Sequence, residues 1–123
     1  MVRIFLVIGL VSGFLGVCLG AFAAHALKER LSQDLLGTFE VGVRYHMYHV
    51  FALIATAWVI NQWPGATATA AGWFFLGGIV VFSGSLYILA LTGVGWLGAI
   101  TPIGGIALLA GWICLAWHVW RSV

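Results

Sequence analysis

Charge is what this sequence has least of. Lys, Arg, Asp and Glu together make up 7% of its 123 residues, and none falls between Arg44 and Arg121. A water-soluble domain of this size has too much surface to cover with so few charges, so water is the wrong solvent for it. The same scarcity removes function classes. No basic cluster is available to track a phosphate backbone, so nucleic acid is not an expected partner. No carboxylate or amine lies inside the apolar runs after Arg44, which disfavours a coupled proton or ion pump. A Walker loop, a dinucleotide fingerprint and a Ser-His-Asp set are all absent, and Gly77-Gly78 falls in mid-helix, where it cannot cradle phosphate. Enzyme readings have no acid and base pair to stand on, and no cofactor is expected.

Cysteine is scarce too, with two residues. Cys18 and Cys114 each lie about two thirds of the way along runs that pass in opposite directions. At about 1.5 Å per residue their depths differ by about 12 Å, too far for a disulfide, so both read as buried thiols.

What is present is hydrophobic surface, 63% of all residues. A helix needs roughly 20 apolar residues to cross the bilayer core. Four such runs nearly exhaust the chain, at about 4–27, 45–63, 69–91 and 102–120, and make one integral membrane domain over 1–123. Arg3, an apolar run and Ala21-Phe22-Ala23 imitate a signal peptide, but the run exceeds a usual signal core and is read as a retained span. Within it Gly9, Gly13, Gly16 and Gly20 fall on one face, a surface for close packing against a neighbouring helix or a second copy of the chain.

Residues 28–43 form the one polar region. Ser32 as an N-cap, with Leu35, Leu36, Phe39 and Val43 at helical spacing, predicts a short amphipathic helix lying at the membrane surface, with Gly42 turning the chain downward. Asn61-Gln62-Trp63-Pro64-Gly65 is a turn, and Thr67 or Thr69 can cap the third span. Small residues then recur every seven positions at Ala71, Gly78, Ser85 and Thr92, a seam suited to antiparallel packing. Thr92 to Trp96 breaks this pattern, and Thr101-Pro102 restarts a helix as N-cap and N1. The expected fold is therefore an all-α, four-transmembrane-helix antiparallel bundle with an interfacial helix between its first two spans. Both termini and His118 share one end, side A. The other end, side B, holds three of the five Lys and Arg and is assigned to the cytoplasm.

His25, His46 and His49 are expected together near side B. Three imidazoles could bind zinc or copper, or one could ligate haem iron. The blander reading is neutral histidines bonded to backbone carbonyls or water. Glu40 and Arg44 are one turn apart and can pair locally, or Arg44 can hold a lipid phosphate beside Tyr45 and Tyr48. A third reading is a pore for a small neutral solute lined by Thr56, Ser83 and Ser85.

Several ordered pieces resemble a known family. They are Gly20 to Leu27 (GAFAAHAL), Tyr45 to His49 (YHMYH), Phe82 to Tyr87 (FSGSLY) with Leu91-Thr92-Gly93, and Leu97 to Gly105 (LGAITPIGG) with Gly111-Trp112. Together they are similar to domain-of-unknown-function family four-twenty-three, and the likeness covers nearly the whole chain. It implies a four-helix protein of the bacterial inner membrane, with a relative in eukaryotes, and no stated activity. The matching positions are Gly20, His25, His49, Ser83, Ser85, Tyr87, Thr101, Pro102, Gly104 and Gly105. His46 is not among them, so the expected polar contact joins His25, His49 and Tyr87. The expected function is non-catalytic binding of a lipid or membrane partner through His25, Arg44, Tyr45, Tyr48, His49, Ser85 and Tyr87.

Overall fold

The computed structural model describes residues 1–123, and every regular element in it is helical. Helix α1 runs Val2–His25 and passes through a 3-10 turn at Leu27–Glu29. Helix α2 runs Gln33–Gln62, α3 Ala66–Gly78, α4 Gly84–Thr92 and α5 Thr101–Ser122. A π-helical stretch, Ile79–Ser83, fuses α3 and α4 into one rod. The segments 2–29, 66–92 and 95–122 are long and apolar enough to cross a membrane. Helix α2 is the longest element, and His46, His49, Asn61 and Gln62 dilute its hydropathy.

Local signals explain the ends. The Ser32 side chain accepts the Leu35 backbone N–H at 3.2 Å, closing the first turn of α2 as expected of an N-cap. Gly93 ends α4 in the left-handed region, at φ 72°, which a side chain would oppose. Pro102 lies in the first turn of α5, where its missing N–H costs nothing. The third span starts at Ala66 behind Gly65 without a side-chain cap, and the Thr69 hydroxyl instead donates back to the Gly65 carbonyl.

One expectation fails here. The amphipathic segment is not a separate surface helix, because α2 continues through Gly42 without a break. Gly42 serves close approach rather than turning: a Cβ there would stand 2.8 Å from the Tyr87 ring, and its carbonyl accepts the Ser83 hydroxyl at 2.7 Å. The third span does form, as the rod 66–92, and its turn widens at Ile79–Ser83. A π turn inserts one residue and so rotates the following side chains, but in a run apolar on nearly every face that shift leaves little trace in the sequence.

Glycines set the registers. Along α1, Gly9 meets Leu53 and Ile54, Gly13 meets Val50, Gly16 meets Met47 and Gly20 meets Val43. Each step forward on α1 is matched by an equal step backward on α2, so the two are antiparallel. The glycine face considered for a second copy is therefore occupied by α2 of the same chain. On the other side Gly78 faces Leu108, Gly104 faces the Phe82 backbone and Gly111 faces the Phe75 ring, an antiparallel register for α5 against the α3–α4 rod. Helix α2 also packs on α3 and α4, which leaves α1 and α5 at opposite edges. Phe5, Leu53, Ala68, Ala71 and Phe75 fill the core between them, each buried.

Candidate functional site

The registers put both α2 histidines deeper than expected. His46 contacts Ser12, ten residues into α1, and His49 contacts Trp112, eleven residues into α5. At about 1.5 Å per residue both lie close to the mid-length of their neighbouring helices rather than at an end. The reason is the twelve extra residues at the start of α2, which move Tyr45 from a helix end to its interior.

The two rings diverge. The His46 Nε2 lies 2.9 Å from the Ser12 carbonyl and 2.9 Å from the Ser12 hydroxyl, and its Nδ1 lies 2.9 Å from the Tyr87 hydroxyl. A carbonyl only accepts, so Nε2 carries the proton and Tyr87 donates to Nδ1. His49 has the opposite assignment. Its Nδ1–H donates to the Tyr45 carbonyl, 2.6 Å away and one turn back. Its Nε2 accepts the Trp112 indole N–H at 3.0 Å, a group that can only donate. Phe75, Trp112 and Tyr45 surround this second ring with centroids 5.8, 5.8 and 6.4 Å distant.

Each histidine backs a separate lateral groove. Between α2 and α5 a cavity of about 550 Å³ is lined by Tyr45, Tyr48 and His49, by Phe82 of the π stretch, and by Pro102, Gly105, Ile106, Leu109 and Trp112 of α5. Between α1 and the α3–α4 rod a cavity of about 460 Å³ is lined by aliphatic side chains and by Ser12, His46 and Tyr87. The π stretch contributes to both, Phe82 to the first and Ile79 and Val80 to the second.

Of the residues named from sequence, Tyr45, Tyr48 and His49 therefore share one groove and Tyr87 lines the other. Arg44 is exposed one turn from Tyr48 on the same face of α2, and Glu40 is exposed as well. Ser85 lines neither groove: it bonds to Thr101 at 2.6 Å and ties α4 to the start of α5. His25 ends α1 as an exposed residue, thirteen positions beyond Ser12, so the contact expected among His25, His49 and Tyr87 does not form. His46 takes the Tyr87 contact instead. The three histidines do not converge, and no group of three or more His, Cys, Asp or Glu is placed to hold a metal ion. The pore candidates are spent locally, Thr56 on the Ala52 carbonyl and Ser83 on that of Gly42. Cys18 is exposed rather than buried, and Cys114 is partly buried. His118 bonds the Trp63 carbonyl at 2.8 Å, at the end of the molecule away from His25.

Sequence reasoning missed Ser12 and Trp112 as partners. Ser12 is the lone hydroxyl on the packed face of α1, buried with Gly9 and Gly16, and that position was its signal. Trp112 follows Gly111, which packs on Phe75 and so brings the indole to His49.

Comparison with known proteins agrees with a membrane protein. Residues 19–105 match the family model described as protein of unknown function (DUF423). A UPF0382 membrane protein of Bacillus subtilis (strain 168) is 43% identical over 114 residues, covering 92% of this chain and 93% of its own. Another, from Staphylococcus haemolyticus, is 44% identical over 121 residues, 98% of each chain. No solved structure matches. With the family model over most of its length and such relatives over nearly all of it, this integral membrane protein belongs to the DUF423 family.

Proposed function

We propose that this protein is a non-catalytic four-span protein of the bacterial inner membrane that holds a phospholipid in the groove between α2 and α5. Helices α1, α2 and α5 and the α3–α4 rod each cross once in this reading, with the first turns of α2 near the membrane surface. The observation that carries it is the pairing of an apolar groove with a cation at its mouth. The groove runs from Pro102, next to the start of α5, to Trp112 at mid-length. Its size is in the range of sites that seat small apolar ligands.

Arg44 supplies the headgroup contact. It is level with Leu19 of α1, six residues and so about 9 Å inside the end of that helix. An extended arginine side chain reaches toward the headgroup layer from such a depth and offers a phosphate two parallel N–H donors. Below it Tyr48, Ile106 and Leu109 are exposed and line the path of an acyl chain.

Native mass spectrometry of protein extracted from vesicles of mixed phosphatidylglycerol and phosphatidylethanolamine tests the reading. Wild-type protein should retain phospholipid with the anionic species preferred. Arg44→Gln should lose the preference, and Ile106→Trp, which fills the groove, should lose the lipid. Equal retention in all three proteins would overturn the proposal.

A further inference from the structure

The space between α2 and α5 continues beyond the groove assigned to phospholipid. The two helices run in the same direction, since Tyr45 lines that groove with Pro102 while the Trp63 carbonyl accepts from His118. Past Trp112 a second cavity of about 450 Å³ follows, lined by Val59 of α2 and by Leu115, Ala116, Val119 and Trp120 of α5. Trp112 is the one residue that lines both cavities, so its indole stands as a partition between them. It is 45% exposed, reaching out toward lipid instead of filling the core. Trp112 lies ten residues beyond Pro102, about 15 Å along the helix and half the roughly 30 Å of a hydrocarbon core. Interfacial anchoring, the usual task of membrane tryptophans, is not available at that depth.

We infer that Trp112 is the floor of the phospholipid groove and limits how much acyl chain the protein can read, with His49 as its positioning residue. The inference rests on the phospholipid reading and adds its chain specificity. The partition is held on several sides. Its indole N–H donates to the His49 Nε2 at 3.0 Å, and that imidazole is fixed in turn by the Tyr45 carbonyl. The Phe75 ring meets the indole edge-on at 5.0 Å, and Gly111 brings the adjoining backbone against the same ring. Swinging the indole aside would strand its N–H and the His49 Nε2 in hydrocarbon, a costly exchange. A chain descending from Pro102 therefore meets the ring after about 15 Å and must leave sideways among neighbouring lipids. Methylenes outside the groove gain nothing from the protein, because lipid tails are as apolar as its walls. Inside the groove each one gains close contact on several sides. Chains that outrun the floor thus bind no better than chains that just reach it.

Competition on the full-length protein in detergent tests the inference, with dimyristoyl and distearoyl phosphatidylglycerol supplied in equal amounts and the bound species counted by native mass spectrometry. Wild-type protein should hold the two nearly equally. Trp112→Ala joins the compartments and should favour the distearoyl lipid at least about threefold, since its extra methylenes then lie within a groove. Trp112→Leu opens the partition less, His49→Leu removes only the acceptor that holds it, and both should shift the ratio in the same direction. Adding Ala116→Trp, one turn further along α5, to Trp112→Ala refills the gap and should return the ratio toward equality. A structural role alone for Trp112 and His49 predicts lower stability with an unchanged ratio. Lipid bound by all of these proteins in one common ratio, or a wild type that already favours distearoyl about threefold, would overturn the inference and leave the phospholipid reading standing. No lipid retained by the wild type would remove that reading, and the floor with it.

Discussion

The two halves of this molecule hold the same side chain in opposite ways. On the α1 side His46 meets two hydroxyls and a carbonyl, and the contact between helices is a soft seam of glycines against Val43, Met47 and Val50. On the α5 side His49 meets an indole that can only donate, within an aromatic shell, and the seam brings Gly104 against the Phe82 backbone itself. A hydroxyl network can exchange donor and acceptor roles; an indole and a carbonyl cannot. The first half can therefore re-aim its two hydroxyls, while the carbonyl, imidazole and indole of the second are fixed in their roles.

The sharpest way to break this contrast is at the seams. Gly104→Ala forces a methyl group into backbone that cannot rotate away and should cost about 2–3 kcal/mol of stability. Gly20→Ala on the other seam meets the Val43 methyl at 3.4 Å, an ordinary contact, and should be near neutral. Unfolding in mixed micelles would compare them, and equal losses would contradict a hard and a soft half. Next in size, Trp112→Phe removes the donor to His49 Nε2 and should cost about 1 kcal/mol, while Ser12→Ala should cost nothing measurable. Nitrogen NMR of labelled imidazoles sharpens the same point: His49 should be protonated on Nδ1 and His46 on Nε2 in the unliganded protein. A shared tautomer would contradict the hydrogen-bond directions given above. A gain rather than a loss is expected at Gly37, where an added Cβ touches nothing, so Gly37→Ala should stabilise α2 by about 0.5–1 kcal/mol.

Much of the fold was legible because apolar runs, caps and glycine spacing are local features. The glycine face of α1, the Ser32 cap, the stop at Gly93 and the restart at Pro102 all follow from a few neighbouring residues. The site was legible only in part. Tyr45, Tyr48 and His49 do gather along one groove, but His25 and Ser85 lie away from it, and His46 proved to be the partner of Tyr87. The error has one origin. Gly42 looked like a turn because glycine permits one, whereas here it is the bare surface that lets the Tyr87 ring approach.

Hydrophobicity and local spacing determined by themselves that this chain is helical, apolar and meant for lipid, since each helix satisfies its own backbone and needs no distant residue to form. Tertiary structure alone decided the depth of His46 and His49, the widening at Ile79–Ser83 and the division of the polar groups between two grooves. The depths and the division depend on how the helices slide against one another, a register set by side chains meeting across helices and invisible to any window of neighbouring residues.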